Sequence, residues 1–170
     1  MLGETDKYHC GLFLRRHDMI TGSLVALITP MVSDGSIDWD NLERLIEFHI
    51  EQGTNGLVAV GTTGESATLD HIEHLKVIEF VIQKANGRIP IIAGTGSNST
   101  KEAIYLTSQA EDLGADAALL VSPYYNKPTQ EGIFLHHKAI AQNSKLPQIL
   151  YNVPGRTASN IELETIKRLA

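Results

Sequence analysis

Five apolar runs recur along this chain, each followed by a stretch of helical periodicity, and no other feature restricts its fold as much. The runs lie at about 24–29, 57–60, 91–94, 117–121 and 148–152, with starts 33, 34, 26 and 31 residues apart. A parallel strand needs a crossover helix to bring the chain back to the same edge, and this is the length such a βα unit requires. The runs are continuous, not alternating, as in strands covered on both faces. Between Asp38 and Gln52, the residues Leu42, Leu45, Ile46 and Ile50 fall on one helical face, and Gly53 supplies the stop. Asp70 with Glu73, Ser99 with Glu102, and Ser159 with Glu162 each have the spacing of a capping box and predict three helix starts. Gly87 and Gly114 are expected to end the second and third helices, and Pro90 to lead into the third strand. Two α/β architectures satisfy this pattern: a complete doubly wound sheet of five strands, or the first five units of a (β/α)8 barrel.

Composition narrows the class of protein. A chain of 170 residues that is 42% hydrophobic and 20% charged can bury a real core. Its net charge of -6 repels phosphate polymers and anionic membranes on average, so no nucleic-acid or membrane partner is expected. No apolar run approaches the ~20 residues of a membrane span. Cys10, the one cysteine, cannot form an intramolecular disulfide, which suits a reducing cytoplasm. Residues 1–18 mix Glu4, Asp6, Lys7, Arg15 and Arg16 and lack the pattern of a signal or transit peptide. They read as a leader outside the fold, with Met19 as the working start and residues 19–170 as one partial barrel.

The chemistry gathers where the strands end. Gly61-Thr62-Thr63-Gly64-Glu65-Ser66 follows the second strand, Ala93-Gly94-Thr95-Gly96 ends the third, Ser122-Pro123-Tyr124-Tyr125-Asn126 the fourth, and Tyr151-Asn152-Val153-Pro154-Gly155-Arg156 the fifth. In parallel β/α folds ligands bind at this edge, where loops open and the next helix offers free N–H groups. Neither glycine loop has the order of a P-loop or the three-glycine spacing of a dinucleotide fingerprint. His71 and His74 do not form a metalloprotease pair and read as surface histidines of a first helical turn, so neither metal nor cofactor is expected. Of the adjacent His136 and His137, one is expected to be packed and the other solvated. Threonine hydroxyls donate and accept, and a phenol of pKa near ~10 moves a proton only with a partner that stabilises the phenolate. Thr62, Thr63, Tyr124, Tyr125 and Tyr151 therefore suit either a proton relay or plain packing. Arg156, without a carboxylate beside it in sequence, suits a bidentate grip on a substrate carboxylate.

The GTTGES, SPYYNKP and YNVPGRT loops together resemble the dihydrodipicolinate synthase family of pyruvate-dependent class I aldolases and lyases, from Met19 to Ala170. The resemblance implies a (β/α)8 TIM barrel of which five units are present. It implies condensation of pyruvate, held as a Schiff base on a lysine, with aspartate semialdehyde to give 4-hydroxy-tetrahydrodipicolinate for lysine biosynthesis. By position, Tyr151 corresponds to the general acid/base, and Thr62 and Tyr125 to its relay partners, with the tyrosine lent by a neighbouring subunit. Thr63 corresponds to the residue that holds the pyruvate carboxylate, and Arg156 to the one that binds the carboxylate of the second substrate. Ser66, Ala67, His71, His74, Asn98, Glu102 and Tyr124 match a site for feedback-inhibiting L-lysine, and the complete enzyme is expected to be a homotetramer built as a dimer of dimers. The Schiff-base lysine belongs to a sixth strand beyond Ala170, so the chain as written is expected to be inactive. A catalytically dead half-barrel that binds lysine or acts as a scaffold, and a related sugar-acid aldolase, are the competing readings.

Overall fold

The computed structural model describes residues 19–170; the leader proposed for residues 1–18 and the cysteine at position 10 lie outside the described residues. Five strands form one sheet: β1 (Leu24–Ala26), β2 (Gly56–Ala59), β3 (Ile91–Gly94), β4 (Ala117–Val121) and β5 (Gln148–Tyr151). All neighbours are parallel and the spatial order is β1-β2-β3-β4-β5. A doubly wound sheet reverses its strand order part-way across. The monotonic order here is that of a sector of a barrel, in which every crossover turns the same way, and it makes this fold half of a (β/α)8 barrel.

Helices α1 (Trp39–Glu51), α2 (His71–Ala85), α3 (Thr100–Leu113) and α4 (Gln130–Ala141) form the crossovers, with a short α5 (Pro154–Thr157) and a final α6 (Leu163–Leu169) after β5. Alternate strand residues serve opposite faces. Leu57, Ala59, Ile91 and Ala93 point out to Leu42 and Ile46 of α1 and to Val77, Ile78 and Val81 of α2, forming the main core. Val58, Ile92 and Ala117 point inward with Leu119 and Ile149, where a closed barrel would have its interior. β2 and β3 are buried throughout, whereas β1 and β5 are partly exposed as the two sheet edges.

Several sequence expectations change in detail. β1 stops at Ala26, short of residue 29. Leu27 N–H still reaches Val58 O at 3.0 Å, but Thr29 leaves the ladder to donate its hydroxyl to Gly64 O at 2.8 Å, and Pro30 has no N–H to give. Asp70 forms the reciprocal capping box with Glu73. The Ser99 hydroxyl accepts from Glu102 N–H, yet the Glu102 carboxylate turns instead to His71. Asn86, not Gly87, takes the left-handed cap of α2, at φ 49°, while Gly114 caps α3 at φ 92°. Ser159 caps nothing: α6 starts at Leu163, and the Gln130 amide oxygen on α4 receives both Glu162 N–H and the Thr165 hydroxyl.

Candidate active site at the C-terminal strand ends

β2 delivers the first functional group through an unusual turn. Val60 is buried with φ 53°, a conformation that strains a β-branched side chain, and the chain then enters a 3-10 turn over Thr62–Gly64. The turn closes through Gly64 N–H to Gly61 O at 3.0 Å and is pinned by Thr29. β3 makes room for it. A Cβ on Gly94 would lie 2.3 Å from Val60 O, and one on Gly96 would lie 2.3 Å from Val121 N. Only glycines at these two positions let the ends of β2 and β4 close in.

The result is a small cavity of about 30 Å³ to which Thr62 and Ser66 come from the β2 loop, Gly94 and Gly96 from β3, and Tyr151 from the end of β5. Three larger hollows, of about 800, about 700 and about 200 Å³, lie elsewhere: one at the opposite ends of the strands near Pro90, Asp116 and Pro147, one between α4, α6 and the open edge of β5, and one beside Trp39 and Phe80 on α1 and α2. None is lined by the loops at the C-terminal strand ends, so size does not identify the site here. The convergence of a threonine hydroxyl and a phenol on one cavity at the C-terminal strand ends makes that cavity the candidate site.

Tyr125 stands apart from this pair. Its backbone is strained at φ 71° and its side chain is 89% exposed. The loop carrying it is held from both sides: Asn98 Nδ2 donates to Tyr124 O at 3.1 Å, Asn126 Nδ2 donates to Asn98 O at 3.2 Å, and Tyr125 N–H reaches Thr157 O at 3.4 Å. A fixed backbone thus presents an outward phenol. Thr63 is exposed on the 3-10 turn. Arg156 is exposed on α5, and its guanidinium makes no ion pair among the described residues.

The residues assigned to a second site gather at the starts of α2 and α3. His71 Nε2 lies 3.3 Å from Glu102 Oε1, Asn98 and Tyr124 are joined as above, and Ser66 and Ala67 follow the 3-10 turn. His74 is not a surface histidine. It is buried, and its Nε2–H donates to Gly94 O at 2.7 Å. Burial holds its pKa below the usual histidine value, which keeps the ring neutral and suited to that single donation. His136 and His137 are both buried, correcting the expectation that one is solvated; among the described residues only His136 Nδ1 has a hydrogen-bond partner, the Thr100 hydroxyl at 2.9 Å. No group of three or more metal-ligating side chains exists among the described residues. The supporting groups Gly94, Gly96, Ser122 and Ser159 escaped the sequence reading as site residues, and His74, read there as a ligand group, is instead a buried support of the β3 end. Only the two glycines left a signal, their recurrence where the third apolar run ends.

A barrel sector with hydroxyl, phenol and guanidinium groups on its C-terminal edge defines a class of parallel β/α enzymes, and sequence comparison says which one. The family model described as the dihydrodipicolinate synthetase family matches residues 19–170, and the chain belongs to that family. It is 64% identical over 152 residues to 4-hydroxy-tetrahydrodipicolinate synthase of Cellvibrio japonicus, covering 89% of this chain and 52% of that protein. The crystal structure of the chloride-inhibited dihydrodipicolinate synthase from Acinetobacter baumannii complexed with pyruvate superposes with a TM-score of 0.87 at 65% identity, over 88% of this chain and 52% of that one. The Cyanidioschyzon merolae enzyme with lysine bound gives a TM-score of 0.85 at 43% identity, over 88% and 51%. The chain spans about half the length of the relatives it matches.

Proposed function

We propose that this chain supplies the first five units of a complete synthase that condenses pyruvate with aspartate semialdehyde, giving 4-hydroxy-tetrahydrodipicolinate. The observation that carries the reading is the meeting of Thr62 and Tyr151 at one cavity on the ligand-binding edge, in a chain closely similar to synthases of that name. Tyr151 is the general acid/base that exchanges protons with the forming Schiff base, and the Thr62 hydroxyl passes protons to it. Tyr125 completes the relay from a neighbouring subunit, in keeping with its outward phenol. Thr63 holds the pyruvate carboxylate, and Arg156 grips that of the semialdehyde. L-lysine is the feedback inhibitor at the His71, Glu102, Asn98 and Tyr124 cluster, where Glu102 supplies the anion for an ammonium group. The complete protein is a cytoplasmic homotetramer.

The covalent step needs a nucleophilic lysine, and an amine becomes nucleophilic near neutral pH when burial or a neighbouring cation lowers its pKa. Among the described residues, Lys76 and Lys84 are on α2, Lys101 on α3, Lys138 on α4 and Lys167 on α6, with Lys127 and Lys145 in loops. None ends a strand, so residues 19–170 by themselves form no Schiff base. Treating the protein from its native cells with pyruvate and borohydride, then measuring its intact mass, tests the reading. A chain of about twice this length carrying one reduced pyruvate is expected; a 170-residue species without adduct would overturn it and favour a binding or scaffolding half-barrel.

A further inference from the structure

Ser159, expected to begin a helix, instead lies beneath the two loops that carry Tyr125 and Arg156. It is 8% exposed, and Ser122 and Thr157 beside it are also buried. The Ser159 hydroxyl donates to Pro123 O at 2.9 Å, so the contact between Ser159 Oγ and Ser122 Oγ, also 2.9 Å, has Ser122 as its donor. This fixes the direction of a short chain: Ser122 to Ser159 to the carbonyl of the residue before Tyr124. Thr157 extends it. Its hydroxyl donates to Ser159 O at 2.8 Å, and its own carbonyl accepts from Tyr125 N–H at 3.4 Å. Ala158, between Thr157 and Ser159, takes the left-handed conformation at φ 55°, which turns the chain after Arg156 back under the tyrosine loop. Among the described residues, both side-chain links between the two loops run through the Ser159 hydroxyl.

We propose that Ser159 is a positioning residue that sets the Arg156 turn against the Tyr125 loop, and so fixes the fit of the carboxylate-bearing second substrate. The inference rests on the function proposed above. Ser159 touches no substrate; it acts through the two loops it joins. Its substitution by alanine leaves two buried groups unpaired, the Ser122 hydroxyl and Pro123 O, whereas Ser122→Ala leaves only a lone pair on Ser159 unused. The two variants are therefore unequal, and in the double variant the orphaned Ser122 hydroxyl is gone.

The test measures initial rates of the full-length protein against each substrate, with borohydride trapping of pyruvate alongside. Ser159→Ala is expected to raise KM for aspartate semialdehyde about tenfold, with KM for pyruvate and the trapped fraction within about twofold. Ser122→Ala should raise the semialdehyde KM by no more than about threefold, and Ser122→Ala/Ser159→Ala should be no worse than Ser159→Ala. If Ser159→Ala does not fold, the Ser122→Ala and double variants carry the test through the same split between substrates. Unchanged constants, or a fall in kcat with both KM values fixed as expected from loss of folded enzyme, would overturn the inference. A wild-type protein that traps pyruvate but shows no condensation would instead remove the proposed second substrate, and this inference with it.

Discussion

His137 on α4 is 1% exposed, and neither ring nitrogen has a hydrogen-bond partner among the described residues. Burial, reinforced by the neighbouring His136, pushes its pKa down from 6.5 to about 4. The fold therefore holds His137 neutral, while the unfolded chain protonates it below pH 6.5. Its contribution is present in full above that pH and is lost as the pH falls toward about 4, because the unfolded state binds the extra proton. His136 and His74 are shifted the same way by burial and add to the slope. At about 1.4 kcal/mol per pH unit, His137 accounts for at most roughly 3 kcal/mol over this window. Urea unfolding of the full-length protein should show stability dropping between pH 6.5 and 4, and His137→Leu should flatten the drop; an identical slope in the variant would refute the assignment.

At the level of elements, the ends of β2, β3 and β4 fit together only because β3 finishes in glycines. Gly94→Ala forces a Cβ against the Val60 carbonyl, a backbone group that cannot swing aside like a flexible side chain. It should cost about 1 to 3 kcal/mol of stability. Since Val60 leads directly into the turn bearing Thr62, it should also lower kcat of the full-length protein severely; wild-type kcat with a normal melting temperature would show that the turn tolerates the displacement. This packing was half legible in the sequence. The five apolar runs marked the strands because burial on both faces leaves a strong compositional trace, and Asp70 with Glu73 marked a helix start because capping is local. Thr62 and Tyr151 were readable as strand-end groups for the same reason. The buried His74–Gly94 bond and the Ser122–Ser159 pair join residues 20 and 37 positions apart and leave no local pattern. Ser159 illustrates the limit: its spacing to Glu162 fits a capping box, but tertiary packing uses its hydroxyl elsewhere, while Gln130 from α4 holds the start of α6.

For the molecule as a whole, the governing fact is that the sheet has two edges. Among the described residues β1 and β5 each pair on one side only, and the inward face formed by Val58, Ile92 and Ala117 belongs to a barrel interior. Closure removes such edges, whereas an open parallel sheet offers unpaired N–H and C=O groups to any strand that arrives. The histidine and glutamine that line the flank of β5 sharpen the point: His137 and Gln148 Nε2 are buried without hydrogen-bond partners among the described residues, beside the hollow of about 700 Å³. Buried polar groups find partners or water, and these atoms lie on the flank that the open edge of β5 leaves uncovered. The Tyr125 loop, tied to Asn98 and Thr157 by hydrogen bonds, leaves its phenol outward on a different face. Residues 19–170 produced by themselves are accordingly expected to aggregate or to pair through β1 and β5, while co-production with a chain supplying the remaining strands of the barrel should give a soluble complex. Size-exclusion chromatography with light scattering distinguishes the two. A soluble monomer of residues 19–170 that unfolds cooperatively would mean that the core around α1 and α2 suffices without closure, because the apolar surface left on the inner face would then be too small to drive association.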